Sequence, residues 1–407
     1  MATTPKYDLY SDRFRSHTYD TFAQMRAEDP VFCQPGIDGE TMIWFLTRHD
    51  DVVTVLLDDD RFVRDPALAL EAEALAAWKQ DLPELLEFTE QHMLNRDGAD
   101  HRRLRRLVTT AFTPRMVEQL RPRMQEIADE LVDAVEARGE MDLVDDYAFP
   151  LPIAVIAELL GIPLADRDRF RSWSNAVVTP ALGPEALAEF GALMGEFVAY
   201  LHELFERRRS EPADDLVSAL LQVQDGGDAF TEQELFSMVI LLIVAGHETT
   251  VNLIANAVLA LLQHPDQLAE LRREPARVPD AIEECLRYDG PVERALNRWA
   301  AVDVDVGDQT IRRGDLVIPI LGSADRDPER FAEPDAFDID RKDAKHVAFG
   351  RGSHYCLGAP LARLEGEIAL ATLLRRLPGL RLSVSQDELR WRPVPLFRSL
   401  ASLPVAW

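Results

Sequence analysis

The sequence predicts one mainly α-helical domain over residues 1–407, with a small β-rich subdomain. Apolar residues recur with helical spacing through most of residues 100–290 and again over residues 356–377. Short alternating runs bounded by glycine and aspartate turns are confined to residues 30–60, residues 291–320 and the C-terminal part, which predicts short strands there. One unbroken pattern from Thr231 to His264 predicts the central helix of the domain.

The composition narrows the class of protein. Of the 407 residues, 47% are apolar, which is enough for a sizeable core. A net charge of −27 argues against nucleic acid or an anionic membrane as a partner. Three cysteines at unrelated spacings imply no disulfide framework, and the polar start resembles no signal peptide. The longest apolar run, Met238 to Ala245, is too short to span a bilayer, so we expect a soluble, cytoplasmic monomer.

The central helix has recognisable start and stop signals and a polar middle. Thr231 to Glu234 form a capping box, Pro265 marks the end, and the length corresponds to about 50 Å. Within this apolar helix stand Glu248, Thr249 and Thr250, and buried polar groups cost stability unless they are paired. The simplest interpretation is a Glu–Thr network that fixes helix packing, and the functional one is a reactive site.

A second polar motif occupies residues 349–358, Phe-Gly-Arg-Gly-Ser-His-Tyr-Cys-Leu-Gly, which we call the cysteine loop. Its glycines permit a tight turn and a close approach. Cys356 stands where a helix begins, and the N-terminus of a helix stabilises a thiolate over a thiol. Such a thiolate can be an axial ligand of haem iron, with His354 and Arg351 as cations for haem propionates. The alternative is a structural cysteine beside a glycine turn.

The order Phe-Gly-x-Gly-x-His-x-Cys-x-Gly resembles the haem-binding loop of the cytochrome P450 family. The run from Ala245 to Thr250 is similar to that family's Ala-Gly-x-Glu/Asp-Thr-Thr motif, and the motifs follow in the family's order. The resemblance implies the cytochrome P450 fold, a triangular prism with haem b between the central helix and the helix after the cysteine loop. It implies that Glu248 supplies protons and that Thr249 orients the oxygen and its water. It also implies Cys356 as the iron ligand, with further cofactor contacts from Phe349, Gly350, His354, Gly358 and Ala245.

Four arginines in five residues follow His101, which is conspicuous in so acidic a chain. On a helix His101 and Arg105 share one face, while Arg102 and Arg106 share another. By the resemblance, His101, Arg105 and Arg298 pair with the haem propionates. The other cations form a basic patch for an acidic electron donor, although a merely solvated face is the alternative for one of them, Arg103. The predicted patch consists of Arg102, Arg103, Arg106 and Arg351.

The resemblance also suggests where substrate and structural contacts lie. It makes the stretch from Pro66 to Gln91, interrupted by Pro83, a lid over the substrate, although a plain surface helix fits as well. Glu284 and Arg287 would lock the core behind the haem, with Arg341 as their third partner. Glu293 and Arg294 are unusually charged for a pocket border and either pair with each other or face outwards. The substrate pocket is predicted to include Leu241, Val244, Ala245, Val292, Ala295, Leu296 and Phe397.

The function implied is that of a haem-thiolate monooxygenase. One atom of O2 would enter a C–H bond or a double bond of an apolar small molecule, and the other would leave as water. No flavin or nicotinamide fingerprint is present, so electrons would come from NAD(P)H through a separate ferredoxin reductase and ferredoxin. Alternatives are C–C coupling or peroxide-driven oxidation at the same site, or a haem-based ligand-binding or sensor protein. The Glu248–Thr249 pair favours the use of O2 over both peroxide and mere binding.

Overall fold

A computed structural model describes most of the chain. The described residues are 6–36, 41–80, 90–167, 169–170, 172–173, 184–223, 227–343 and 345–407. The predicted interruption of the lid at Pro83 lies outside these ranges.

Helices dominate the described residues, and the strands are short. The α-helices are α1 (Asp12–Ser16), α2 (Thr18–Glu28), α3 (His49–Leu57), α4 (Ala72–Gln80), α5 (Gly98–Ala111), α6 (Pro114–Gln119), α7 (Arg121–Glu136), α8 (Pro150–Leu159), α9 (Pro184–Ser210), α10 (Leu216–Gln222), α11 (Glu232–Gln263), α12 (Pro265–Arg273), α13 (Val278–Asp289), α14 (Leu321–Ala324) and α15 (Ala359–Arg376). The strands are β1 (Val31–Pro35), β2 (Met42–Leu46), β3 (Phe62–Val63), β4 (Glu140–Asp142), β5 (Arg298–Ala300), β6 (Val304–Val306), β7 (Gln309–Ile311), β8 (Leu316–Pro319), β9 (Arg381–Leu382) and β10 (Pro404–Ala406).

The chain divides into two compact units. The first comprises Met1–Leu75, Ala128–Ala148 and Thr249–Trp407, and the second comprises Ala76–Ile127 and Phe149–Glu248. That the whole of residues 1–407 acts as a single domain remains a prediction.

All of the described sheets belong to the first unit. A five-stranded sheet has the order β1-β2-β8-β5-β3, a three-stranded sheet the order β4-β10-β9, and β6 pairs with β7. Strand β2 runs parallel to β8, with Ile43 opposite Leu316, and β5 runs antiparallel to β8. An apolar cluster that includes Trp44, Phe62 and Val317 packs along this sheet. Most strands lie in the regions that the sequence predicted to be β-rich, but β4 (Glu140–Asp142) lies outside all of them and β3 begins just beyond residue 60.

Helix α11 begins and ends as its sequence predicts. The Glu234 carboxylate accepts from Thr231 N at 2.9 Å, while Glu234 N donates to the Thr231 hydroxyl at 3.2 Å. This reciprocal capping box is confirmed, and α12 starts at Pro265 immediately beyond. By length and composition α11 is the one described helix that could cross a membrane, but 72% of its most apolar window is buried inside the protein. Burial of that extent is what the core helix of a globular protein shows.

The second unit is helical, and aromatic side chains fill its core. The ring of Trp173 stacks on Phe197 with centroids 5.3 Å apart, and Met194 and Phe205 are also buried. Met194, Phe197 and Phe205 of α9 therefore pack into the core.

Candidate functional site

The cysteine loop is a tight turn that ends at Gly358, the residue before α15 begins. Cys356 N donates to Phe349 O at 2.9 Å, and Tyr355 N donates to Gly352 O at 3.2 Å. Gly350 and Gly352 have φ angles of 70° and 72°, in the left-handed region that favours glycine. The thiol of Cys356 is half-buried, just before an 18-residue helix capped by Gly358. Unpaired N–H groups of that first turn favour a thiolate at this place.

One loop glycine allows a close approach to α3. A Cβ atom on Gly352 would lie only 2.7 Å from the Leu56 carbonyl oxygen, so no other residue fits without a shift of the backbone. The cysteine loop is thus held against the end of α3 within the first unit.

The ring of Phe349 is supported by a cluster of charges. The Arg363 guanidinium lies 4.5 Å from the ring centroid and donates twice to Glu283, at 2.6 and 3.0 Å. His346 Nε2 lies 3.3 Å from the same carboxylate. Burial raises the pKa of Glu283, but the hydrogen bonds from His346 and Arg363 outweigh burial and lower the pKa to about 2. Glu283 therefore stays ionised and holds Arg363 over Phe349.

The middle of α11 has one open face. Leu241 and Val244 are half-buried, Ala245 is exposed and Thr249 is half-buried, whereas Ile243 and residues 251–261 are buried. Residues 241, 245 and 249 follow each other at one-turn spacing, so they form a single strip. Ala245 is the exposed residue at the centre of this strip, and Leu241 and Thr249 on either side of it are half-buried.

Acid and hydroxyl groups adjoin this open strip. Glu248 is buried, and its neighbour Thr249 lies on the strip. In the first unit, the side chain of Thr250 hydrogen-bonds to Glu365 of α15, whose carboxyl is fully buried. Burial raises the pKa of Glu365 to about 8, although the bond from Thr250 acts in the opposite direction. Glu365 is therefore a neutral acid at pH 7.

Helix α5 in the second unit separates its cations as the spacing predicts. His101 is buried, Arg105 is half-buried, and Arg102 and Arg106 are exposed. Arg103 differs from the prediction of a solvent-facing patch, because its guanidinium pairs with Asp228 at 3.2 Å and with Glu234. Two carboxylates compensate its charge, so Arg103 adds little to a basic patch.

Arg298 is buried in β5 and bound to protein groups of the first unit. Its guanidinium donates to Asp59 at 3.0 Å, to the Phe62 carbonyl at 2.8 Å and to the Leu56 carbonyl at 3.3 Å. A propionate contact for Arg298 stays a prediction.

Glu284, Arg287 and Arg341 meet in a buried cluster. Arg287 donates to both carboxylate oxygens of Glu284 at 2.8 Å, and Arg341 reaches the same carboxylate at 3.3 Å. Arg287 also donates to the Asp325 carbonyl at 2.9 Å. The cluster joins α13 to the segment before the cysteine loop, which is a structural role.

Residues 291–298, which we call the pocket segment, bury their charges and expose their apolar side chains. Glu293 and Arg294 are buried, whereas Val292, Ala295 and Leu296 are half-buried. Arg294 Nε donates to Glu293 at 3.0 Å, so the two charges pair with each other and do not face outwards. Val292 forms a β-bridge with Phe397 of the terminal turn, residues 391–398. The structure thus brings together the predicted pocket residues of these two segments.

Comparison with known proteins decides the family. The family model described as cytochrome P450 matches residues 165–389. Cytochrome P450 107B1 of Saccharopolyspora erythraea is 48% identical over 100% of this chain and 99% of its own length. The cytochrome P450 monooxygenase PikC of Streptomyces venezuelae is 44% identical over 100% of this chain and 95% of its own length.

The chain belongs to the cytochrome P450 family. The fold agrees: the structure of the Bacillus subtilis polyketide-synthase cytochrome P450 PksS superposes with a TM-score of 0.91 at 39% identity, over 98% of this chain and 99% of that one. This cytochrome P450 is therefore an oxidoreductase, a monooxygenase with the mainly helical fold predicted from its sequence. Its family implies a haem-thiolate cofactor.

The residues of this cytochrome P450 fit a haem. The half-buried thiol of Cys356, three residues before the start of α15, would supply a sulfur ligand for the iron.

Sequence reasoning missed several residues of this P450. It overlooked the acid Glu365, which stands two residues before Glu367 in the helical run after Cys356, and only the structure shows that Glu365 is buried. It also missed the support of Phe349 by Arg363 and Glu283. The pairing of Arg15 with Glu293 carried no sequence signal, because 278 positions separate the two residues.

Proposed function

We propose that this cytochrome P450 hydroxylates or epoxidises an apolar small molecule, with O2 as co-substrate. The observation that carries the proposal is the open apolar strip of α11, which adjoins the buried acid Glu248 and the hydroxyl of Thr249. One oxygen atom would enter a C–H or double bond of the substrate, and the other would leave as water with two protons and two electrons. Residues 1–407 would act as one domain in this reaction.

The cofactor would be haem b, which supplies oxygen activation when it is bound. The half-buried thiol of Cys356 supports its role as the axial ligand. His101, Arg105 and Arg298 would neutralise the propionates, since charge-assisted hydrogen bonds are the strong ones. Further contacts would come from Phe349, Gly350, His354, Gly358 and Ala245.

Protons would be handled by residues of the central helix. Glu248 would hold a proton near the reacting oxygen, and the Thr249 hydroxyl would orient a water beside it. Ala245 would leave room for the substrate on the same strip. An acid–hydroxyl pair at this place supports the use of O2 with two electrons, because peroxide-driven oxidation does not need such a relay.

The fraction of the supplied electrons that ends in oxidised product tests the role of Thr249. A Thr249→Ala protein should turn over with ferredoxin, ferredoxin reductase and NADPH but should release much of its reducing power as hydrogen peroxide. Thr250→Val is the matched control, since Thr250 bonds to Glu365 and lies off the strip. Equal peroxide yields from Thr249→Ala and wild type would exclude the monooxygenase role of Thr249.

The electron donor would be a ferredoxin, reduced from NAD(P)H by its reductase in the cytoplasm. The exposed cations Arg102 and Arg106, together with Arg351, would attract its acidic surface. Arg102→Glu should slow ferredoxin-dependent reduction several-fold at low salt, and the difference should shrink as salt screens the charges. Reduction by dithionite should be unaffected, and Arg103→Gln should matter less because Arg103 is already paired. A salt-independent defect would contradict the patch.

The substrate class can be found by spectroscopy. Val292, Ala295, Leu296 and Phe397 are apolar and half-buried, which supports binding of an apolar skeleton such as a terpenoid, steroid, macrolide or fatty acid. A CO-difference spectrum of the reduced protein tests thiolate ligation first. Compounds of each class would then be screened for the low-spin to high-spin shift that follows loss of the iron-bound water. If compounds bind but none of them is oxidised, the result would favour the alternative of a haem-based sensor protein.

A further inference from the structure

The pocket segment and the terminal turn are bonded to each other through their backbones. Glu293 N donates to the Leu396 carbonyl at 3.0 Å, and Arg398 N donates to the Pro291 carbonyl at 3.0 Å. Together with the bridge between Val292 and Phe397, these bonds make the two segments one surface. Whatever fixes one of them therefore fixes both.

A single carboxylate anchors this surface from behind. One oxygen of Glu293 accepts from Arg15 of α1 at 3.1 Å, and the other accepts from Arg294 at 3.0 Å. All three side chains are at most 3% exposed. Because removal of one partner of a buried ion pair leaves the other charge unpaired, each of these groups depends on the rest.

The two arginines extend the anchor to two further stretches of backbone, the terminal turn and the N-terminal residues. Arg15 Nη2 donates to the Val394 carbonyl of the terminal turn at 2.9 Å, and Arg294 Nη2 donates to the Leu9 carbonyl at 2.7 Å. Arg398 closes the circuit by donating to the Arg15 carbonyl at 2.7 Å. The N-terminal residues 9–15 thus hold both segments through charge-assisted bonds, which fix geometry better than apolar contacts do.

The burial pattern is unusual for a surface segment. Glu293, Arg294 and Arg398 are buried, while the apolar side chains of Leu296 and Phe397 stay half-buried. Charged side chains are rarely buried unless they are paired, so their burial here depends on the ion pairs of the anchor.

We propose that Glu293, acting through Arg15 and Arg294, is a positioning residue that sets the apolar wall of the substrate pocket. The proposal rests on the proposed function, since it assumes that the pocket segment and terminal turn face the substrate. It assigns a specificity role to Arg15, a residue of the N-terminal helix that does not itself touch the substrate.

The test compares two azole probes on the haem-loaded enzyme. Imidazole reports only the access of a nitrogen ligand to iron, whereas 1-dodecylimidazole adds an apolar tail for the pocket wall. Glu293→Gln should weaken the binding of 1-dodecylimidazole by about tenfold relative to the binding of imidazole, with both affinities measured by titration of the Soret shift. Arg15→Met should have a similar effect, and the double variant should add little, because both act through one cluster.

Asp215→Asn is the matched control. Asp215 is a buried carboxylate of the second unit that pairs with Arg208, so its loss should lower stability without changing the ratio of the two azole affinities. If Glu293→Gln yields no holoenzyme, Arg15→Lys replaces it in the azole titrations, because this variant keeps the buried positive charge. An unchanged affinity ratio in the Glu293 and Arg15 variants overturns the proposal. Absence of the thiolate-type CO-difference band in the wild type would instead overturn the proposed function.

Discussion

The cysteine loop and the pocket segment both carry groups proposed to face the haem site, but they are held in different ways. The backbone of the cysteine loop is shaped by bonds between near neighbours, such as Cys356 N to Phe349 O at 2.9 Å. The pocket segment depends on Arg15, which lies 278 positions from Glu293 in the sequence. A local motif is therefore enough to recognise and shape the first region, whereas only the folded chain reveals that Arg15 anchors the second.

The largest effect should come from the thiol of the cysteine loop. Cys356→Ser removes the proposed iron ligand, so we expect loss of the thiolate-type CO-difference band and a fall of oxidation to background. Cys33→Ser changes another half-buried thiol, in β1, and should leave both unchanged. A normal CO band and normal turnover in Cys356→Ser would show that the loop does not hold the iron.

The next largest effect concerns the one close approach of the loop to a distant segment. Gly352→Ala combines a φ of 72° with a Cβ only 2.7 Å from the Leu56 carbonyl oxygen. We expect a destabilisation of ~1–3 kcal/mol and faster haem loss, measured by denaturant unfolding and by haem transfer to an acceptor protein. Gly191→Ala in α9 has no atom near its added Cβ and should instead stabilise by about 1 kcal/mol. Equal behaviour of the two variants would contradict the tight packing.

The burial of Glu365 in the folded chain makes the free energy of unfolding depend on pH. In the folded chain burial raises the pKa of Glu365 to about 8, so the native state keeps a proton that the unfolded chain loses near its ordinary value. Stability should therefore fall as pH rises from about 5 to about 8, by up to ~1.4 kcal/mol per pH unit, and level off above that range.

Glu365→Gln cannot lose this proton, so its denaturation midpoint should fall less steeply with pH than that of the wild type. Other titrating groups are common to both proteins and cancel in the difference. Parallel curves between pH 5 and pH 8 would mean that Glu365 is not held neutral.

The smallest effect should come from the start of α11, where local and distant contacts meet in one side chain. Glu234→Ala removes both the capping bond to Thr231 and the pair with Arg103, and should cost about 1 kcal/mol in unfolding free energy. Gln233→Ala changes an exposed residue of the same turn and should have almost no effect. A double-mutant cycle with Arg103→Gln separates the two contacts. A coupling energy of zero would show that the pair with Arg103 does not contribute to stability.

The sequence predicted those parts of the structure that depend on neighbouring residues. The span of α11 follows from its capping box and Pro265, and the tight turn of the cysteine loop follows from the glycine spacing before Cys356. The sequence did not reveal partners that the fold brings together. The distribution of charge on α5 illustrates the limit: helical spacing separated His101 from Arg102 correctly, but only the fold pairs Arg103 with Asp228.

The anchored pocket segment has a consequence for redesigning this enzyme. Its apolar side chains at positions 292, 295, 296 and 397 can be randomised in a mutant library while positions 15, 293 and 294 are kept constant. Such a library would vary the shape offered to new compounds on a scaffold whose backbone stays in place. Conversely, a fusion partner or tag that disturbs residues 9–15 would alter product selectivity from the opposite end of the chain.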